Sequence, residues 1–165
     1  MFRRKIAAVA IAVAAGFGLT VTAAGTASAG TVTQSCLPYS GPRTVNVTIT
    51  APATVTRGVP VPVFVKVDGV EPWANSELTA GSARLVGFLR QGGAGTGEIK
   101  IDVLNNPATI RTGGHFSVES TQQVAFSTPG TVTLGLHRFG KPLTYWWCSL
   151  PADQQPPVAA TVTVN

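Results

Sequence analysis

The chain has 165 residues, 44% of them hydrophobic and only 12% charged, with a formal net charge of +5. That length bounds it to one ordinary domain with a core of its own, so its stability requires neither metal nor partner. The positive excess is no nucleic-acid footprint. Arg3, Arg4 and Lys5 supply three of the 12 basic residues, and the other nine are scattered singly, whereas a phosphate-binding surface needs clustered cations.

Residues 1–29 read as a cleavable signal peptide. Arg3, Arg4 and Lys5 form a positive head, residues 6–19 are a small-apolar run, and Ala27-Ser28-Ala29 offers the small side chains of a cleavage site. The apolar run falls short of the roughly 20 residues a membrane span needs. Lys5-Ile6-Ala7 fits a twin-arginine motif poorly, which favours the general secretory route. Gly30 stands where a lipoprotein would carry cysteine, and Val162-Thr163-Val164-Asn165 has neither a hydrophobic tail nor a basic stop signal. The expectation is therefore one exported domain, 30–165, with no stable membrane anchor after cleavage, released or held noncovalently at the cell wall. It keeps nine basic and seven acidic side chains, a formal +2.

Cys36 and Cys148 are the two cysteines. In an exported chain such a pair is expected to form a disulfide, worth about 4 to 5 kcal/mol in chain-entropy models of so long a loop. A catalytic or metal-binding thiol would want a CxxC spacing or a nearby histidine, and neither is present. Cys36 precedes one strand-like segment and Cys148 another, so both segments are expected to start at the same end of the domain.

Period-two alternation dominates the chain from residue 44 onward. Residues 44–50 alternate polar positions with Val45, Val47 and Ile49. Residues 59–67 place Val61, Val63, Val65 and Val67 on one face, with Pro60 and Pro62 demoting the start of the strand to a sheet edge. Residues 73–89 hold the best helix candidate, with Leu78, Leu85 and Leu89 on one face. Gly81 and Gly87 weaken it, and 83–89 reads equally as a strand. Residues 91–97, rich in glycine, read as a flexible loop that lacks the residues of a phosphate or dinucleotide turn. Strands are expected at 98–104 (Ile99, Ile101 and Val103 inward), at 115–126 as one or two pieces, at 130–138, and at 158–164. Seven or eight short strands with almost no helix indicate an all-β sandwich. The 18 threonines of 30–165 suit its wet faces.

The segments Ser35-Cys36-Leu37-Pro38, Ala51-Pro52-Ala53-Thr54-Val55 with Gly58, and 127–134 followed by Cys148, Pro151 and a final Ala-Thr-Val-Thr-Val resemble a secreted actinobacterial domain-of-unknown-function family. The resemblance spans most of 30–165 and is weakest over 69–112. It implies an immunoglobulin-like β-sandwich with a disulfide between terminal cysteines, and no known reaction.

The residues argue against catalysis. Glycoside hydrolysis needs two carboxylates about 5 to 9 Å apart in a cleft. Asp68 and Glu71 flank an expected turn, where solvated acids are the ordinary explanation, and Glu98, Lys100 and Asp102 read as a solvent-facing ladder. His115 and His137 lie 22 residues apart with no cysteine to complete a zinc set, and no Gly-x-Ser-x-Gly is present. The expectations are no catalytic residue, no metal and no cofactor. The sequon Asn46-Val47-Thr48 falls mid-strand and is read as unused.

The aromatic residues carry more information. In Tyr145-Trp146-Trp147-Cys148, alternation sends Trp146 and Cys148 to one face and Tyr145 and Trp147 to the other; Trp73 follows Pro72. All three tryptophans can fill the core, where buried rings contribute most to a small β domain. The functional reading makes Trp147, Tyr145 and Trp73 a platform for a sugar ring or another protein, with His137, Arg138 and Lys141 at its rim. The partners so implied are a cell-wall glycan or another extracellular protein, and no nucleic acid. A secreted hydrolase, or a protease inhibitor using Glu71-Pro72-Trp73 or Lys141-Pro142-Leu143 as its loop, is the remaining alternative.

Overall fold

The structure, a computed structural model, describes residues 28–37, 41–72, 74–144 and 146–165. Most of the expected signal peptide (1–27), together with Trp73 and Tyr145, lies outside the described residues. Ten strands make up the fold: β1 (Ser28–Leu37), β2 (Gly41–Thr50), β3 (Thr54–Val55), β4 (Val61–Pro72), β5 (Leu85–Gly93), β6 (Glu98–Leu104), β7 (His115–Val124), β8 (Gly130–Gly140), β9 (Trp147–Ser149) and β10 (Ala160–Val164). There is no helix among the described residues, and so none long and apolar enough to cross a membrane.

Antiparallel pairing runs from β6 through β5 to β8, then through β9 to β1, β2, β4 and β7. β10 flanks the first half of β8 on the same side as β9, and carries β3 in a parallel pair. The two ends of this path meet. Asn105 and Glu119 exchange backbone hydrogen bonds of 3.0 and 2.8 Å. Side chains of β7 cap the open rungs of β6: Gln122 accepts from the Asp102 amide at 2.6 Å and donates to the Lys100 carbonyl at 3.0 Å, while Ser120 donates to the Asp102 carbonyl at 3.1 Å. Hydrogen bonding is thus continuous through all ten strands, and β6 does not end in an exposed row of donors and acceptors of the kind that invites aggregation.

The core lies inside this circuit. Alternation fills it with Val45, Val47 and Ile49 of β2, Val63, Val65 and Val67 of β4, Leu89 of β5, and Leu134, Leu136 and Phe139 of β8, all buried. Each such side chain contributes about 1.5 to 3 kcal/mol on burial. Cys36 and Cys148 are directly opposed in the β1–β9 register and form a disulfide. The register also makes β2 and β10 run in the same direction, both starting on the disulfide side.

Several local expectations are corrected. Residues 73–89 form no helix where described; the stretch before Leu85 is irregular and β5 begins there. Gln91, Gly92 and Gly93 extend β5 against β8. Gly93 then turns the chain at φ 66°, where a Cβ would come within 2.4 Å of the Thr131 carbonyl. β4 pairs only with β7 over Val61, Pro62 and Val63, the edge-like start that the prolines indicate, and is interior from Phe64 onward; the expected turn between Asp68 and Glu71 is absent because β4 continues to Pro72. Pro62 is tolerated because it precedes the first β2 rung, so its missing N–H breaks nothing there. Val103 faces solvent rather than the core. A bulge in β6 places two residues opposite Val86, Val103 takes φ 56°, and Leu104 turns inward in its place.

One rung is supplied by a side chain. Between the stretches of β8 covered by β10 and by β9, the Leu136 and His137 carbonyls face β1 across a gap. Gln34, 1% exposed, donates from Nε2 to both at 3.3 Å.

Candidate functional site

The outer face of β6, β5, β8 and β9 carries the polar and aromatic residues that the sequence singles out. A second bulge creates it. Phe88 pairs with Arg138 and Leu89 with Leu136, so His137 is the extra residue of β8. Leu136 and Phe139 are buried, whereas the consecutive His137 and Arg138 both point outward. An undisturbed strand would have sent one of them into the core. Gln34 holds the bulge from beneath through the two carbonyls it bonds, and the Leu150 amide adds a 3.1 Å bond to the His137 carbonyl.

Trp147, half-buried, lies on this face against Phe88, with ring centroids 6.1 Å apart. The Arg138 guanidinium sits 4.2 Å over the Phe88 ring and 5.9 Å from that of Trp147, a cation–π geometry. The Trp147 ring spreads across Gly140, its partner in the β8–β9 pairing, where a Cβ would meet ring carbons at 2.7 and 2.8 Å. Only glycine leaves room for the ring to lie down.

Glu98 on β6 anchors the other half of the patch. One oxygen pairs with His137 Nδ1 and the other accepts from Arg138 at 3.1 Å. Arg90 donates to His137 Nε2 at 2.9 Å and to the Gln154 carbonyl at 3.4 Å. The same Arg90 nitrogen also lies 3.2 Å from His137 Nδ1, so the guanidinium caps the ring beside both of its nitrogens. Partial burial raises the pKa of Glu98, but the His137 hydrogen bond and the Arg138 charge outweigh it and hold the carboxyl below its ordinary value. With both oxygens engaged, this carboxylate is built to orient cations rather than to shuttle a proton.

The other sequence candidates fall elsewhere. Trp146 turns to the opposite side from Trp147 and packs edge-on against Phe139 and near Phe116, at centroid distances of 5.9 and 6.3 Å. His115 bonds the Gly69 carbonyl at 3.3 Å and shares no partner with His137. Asp68 is occupied by Lys66 at 3.0 Å and by the Ser117 hydroxyl at 2.6 Å, and Lys100 pairs with Asp102 at 2.7 Å. Among the described residues no cluster of three or more His, Cys, Asp or Glu is placed to hold a metal ion. Sequence reading missed Phe88, Arg90 and Glu98 as members of the patch. The available signal was the His137-Arg138 pair between two core residues, a local break in alternation.

No family model, curated protein or solved structure matches the chain.

Proposed function

We propose that the chain is an exported, noncatalytic, immunoglobulin-like β-sandwich protein whose outer face binds an extracellular polysaccharide, with a cell-wall glycan as the leading partner. The observation that carries this reading is the bulge that sets Arg138 and His137 beside Trp147 and Phe88. The half-buried Trp147 ring supplies apolar contact to sugar faces, while Arg90 and Arg138, the latter stacked over Phe88, supply hydrogen-bond donors and positive charge at the rim. Export is supported by the signal-like residues 1–29 and is compatible with the disulfide. The immunoglobulin-like class and the secreted actinobacterial family are supported by the resemblance of the segments around Cys36, Gly58 and Cys148. Noncatalysis is supported by the pairing of Glu98, Asp68 and Asp102 with neighbouring cationic side chains.

Co-sedimentation with insoluble chitin, cellulose and peptidoglycan tests the binding reading. Wild-type protein is expected to pellet with at least one polymer. Trp147→Ala and Arg138→Ala should each weaken retention about five- to tenfold, the worth of one aromatic or cation–π contact. Failure of the wild type to pellet with any polymer refutes it. Mass spectrometry of exported material should give the chain from Gly30 with its two thiols oxidised.

One observation favours a second reading as a protease inhibitor. Leu143 is fully exposed with φ 60°, in a turn braced by the Thr144 hydroxyl on the Lys141 carbonyl at 2.8 Å. A leucine held out at a left-handed position is costly without a use. Inhibition of leucine-specific proteases, lost in Leu143→Gly, is its test.

A further inference from the structure

A cavity of about 230 Å³ opens at the end of the fold where β8 finishes and β9 starts. Leu78, Ala83, Leu85, Phe116 and Trp146 form its apolar walls, and Lys141 is the one charged residue among the described residues that line it. Its shape is built in. Asn106, 1% exposed, accepts from the Ala83 amide at 3.0 Å and donates to the Leu78, Thr79 and Ala108 carbonyls at 2.8 to 3.2 Å. Leu78 and Ile110 exchange two backbone bonds of 2.9 Å behind the same wall. Opposite, Phe139 packs near both Phe116 and Trp146, at 6.0 and 5.9 Å, and fixes those rings. These bonds and ring contacts brace the wall from both sides.

We infer that this cavity binds a small aryl carboxylate, with its ring between Trp146 and Leu85 and its carboxylate at Lys141. An apolar protein cavity of roughly 150 Å³ accommodates benzene, so the volume here takes one aromatic ring with a short side chain. Charge sets the headgroup. Lys141 takes part in none of the four ion pairs among the described residues, and no acidic residue is among the described residues that line the cavity. The site is separate from the outer face that carries Trp147, and does not depend on the glycan reading.

The test is titration of the folded protein with 3-phenylpropionate and with 3-phenylpropan-1-ol, followed by calorimetry and by methyl NMR of Leu78 and Leu85. The acid is expected to bind with a Kd of about 0.1 to 1 mM, well inside the ligand-efficiency ceiling for so few atoms, and about five- to tenfold tighter than the alcohol. Lys141→Met, an exposed change that keeps the stem, should lower the acid to the affinity of the alcohol. Ala83→Leu should abolish binding of both, and Ser76→Trp at the mouth serves the same purpose if the buried change unfolds the chain. No binding of the acid at 10 mM overturns the inference. So do equal wild-type affinities for the two compounds, an unchanged Lys141→Met, or shifts that bypass Leu78 and Leu85.

Discussion

Cys36 and Cys148 stand directly opposite each other in the β1–β9 pairing, so the disulfide ties two adjacent strands at a single rung. The bond closes a sequence separation of 112 residues. β9 is only three residues long, and beside the Gln34 side chain it is what connects β8 to β1 at this end. Replacing both cysteines by alanine is expected to cost about 3 to 5 kcal/mol, mostly by freeing the unfolded chain. Urea unfolding of the oxidised protein and the double variant measures this. A loss below about 1 kcal/mol would show that the strand pairing alone holds the ends together.

Gln34 replaces a rung that no strand supplies. Gln34→Leu keeps the volume but removes the donor shared by the Leu136 and His137 carbonyls. The Leu136 carbonyl loses this donor while the His137 carbonyl keeps the Leu150 amide, and one unmet buried acceptor costs about 1 to 3 kcal/mol. Amide exchange in β8 should quicken in the variant, most strongly at the bulge. Unchanged stability would mean that water can reach these carbonyls.

Gly140 is the floor beneath Trp147. In Gly140→Ala the new methyl would lie 2.4 Å from the Trp146 carbonyl and 2.7 Å from the Trp147 ring. Since backbone cannot yield easily, the expected loss is about 1 to 3 kcal/mol. Displacement of Trp147 from Phe88 should shift the tryptophan emission to the red. Fluorescence and thermal melts together read the two effects.

Glu98 links stability to acid. Its folded pKa lies below the ordinary value of 4.5, so folding favours the ionised form. The resulting stabilisation is present above pH 4.5 and is lost as pH falls through the lower folded value. Wild-type Tm should drop on acidification from about pH 6 to about pH 3, and Glu98→Gln should show a shallower drop over the same range. Parallel slopes for the two proteins would remove Glu98 from the acid response.

Much of the candidate site was hidden in the sequence for a definite reason. Trp147 and Cys148 announce a landmark, and alternation sends neighbouring rings to opposite sides, as Trp146 and Trp147 do. Phe88 lies 59 residues before Trp147 and Glu98 lies 40 before Arg138, and only strand order brings such pairs together. Strand order depends on which edges pair, a property of the whole chain that a local pattern does not encode.

What the sequence determined by itself was the all-β character, the inward valines of β2 and β4, the full extent of β6 and the pairing of its two cysteines. Each follows from side-chain chemistry acting over a few residues, or from there being two thiols alone. The tertiary structure decided the rest. It turned residues 85–93 into a strand, closed the circuit through Asn105 and Glu119, and inserted bulges at Val103 and His137. A bulge shifts the phase of alternation by one residue, and its cost is met by long-range partners such as Gln34. No window of sequence around it contains that partner.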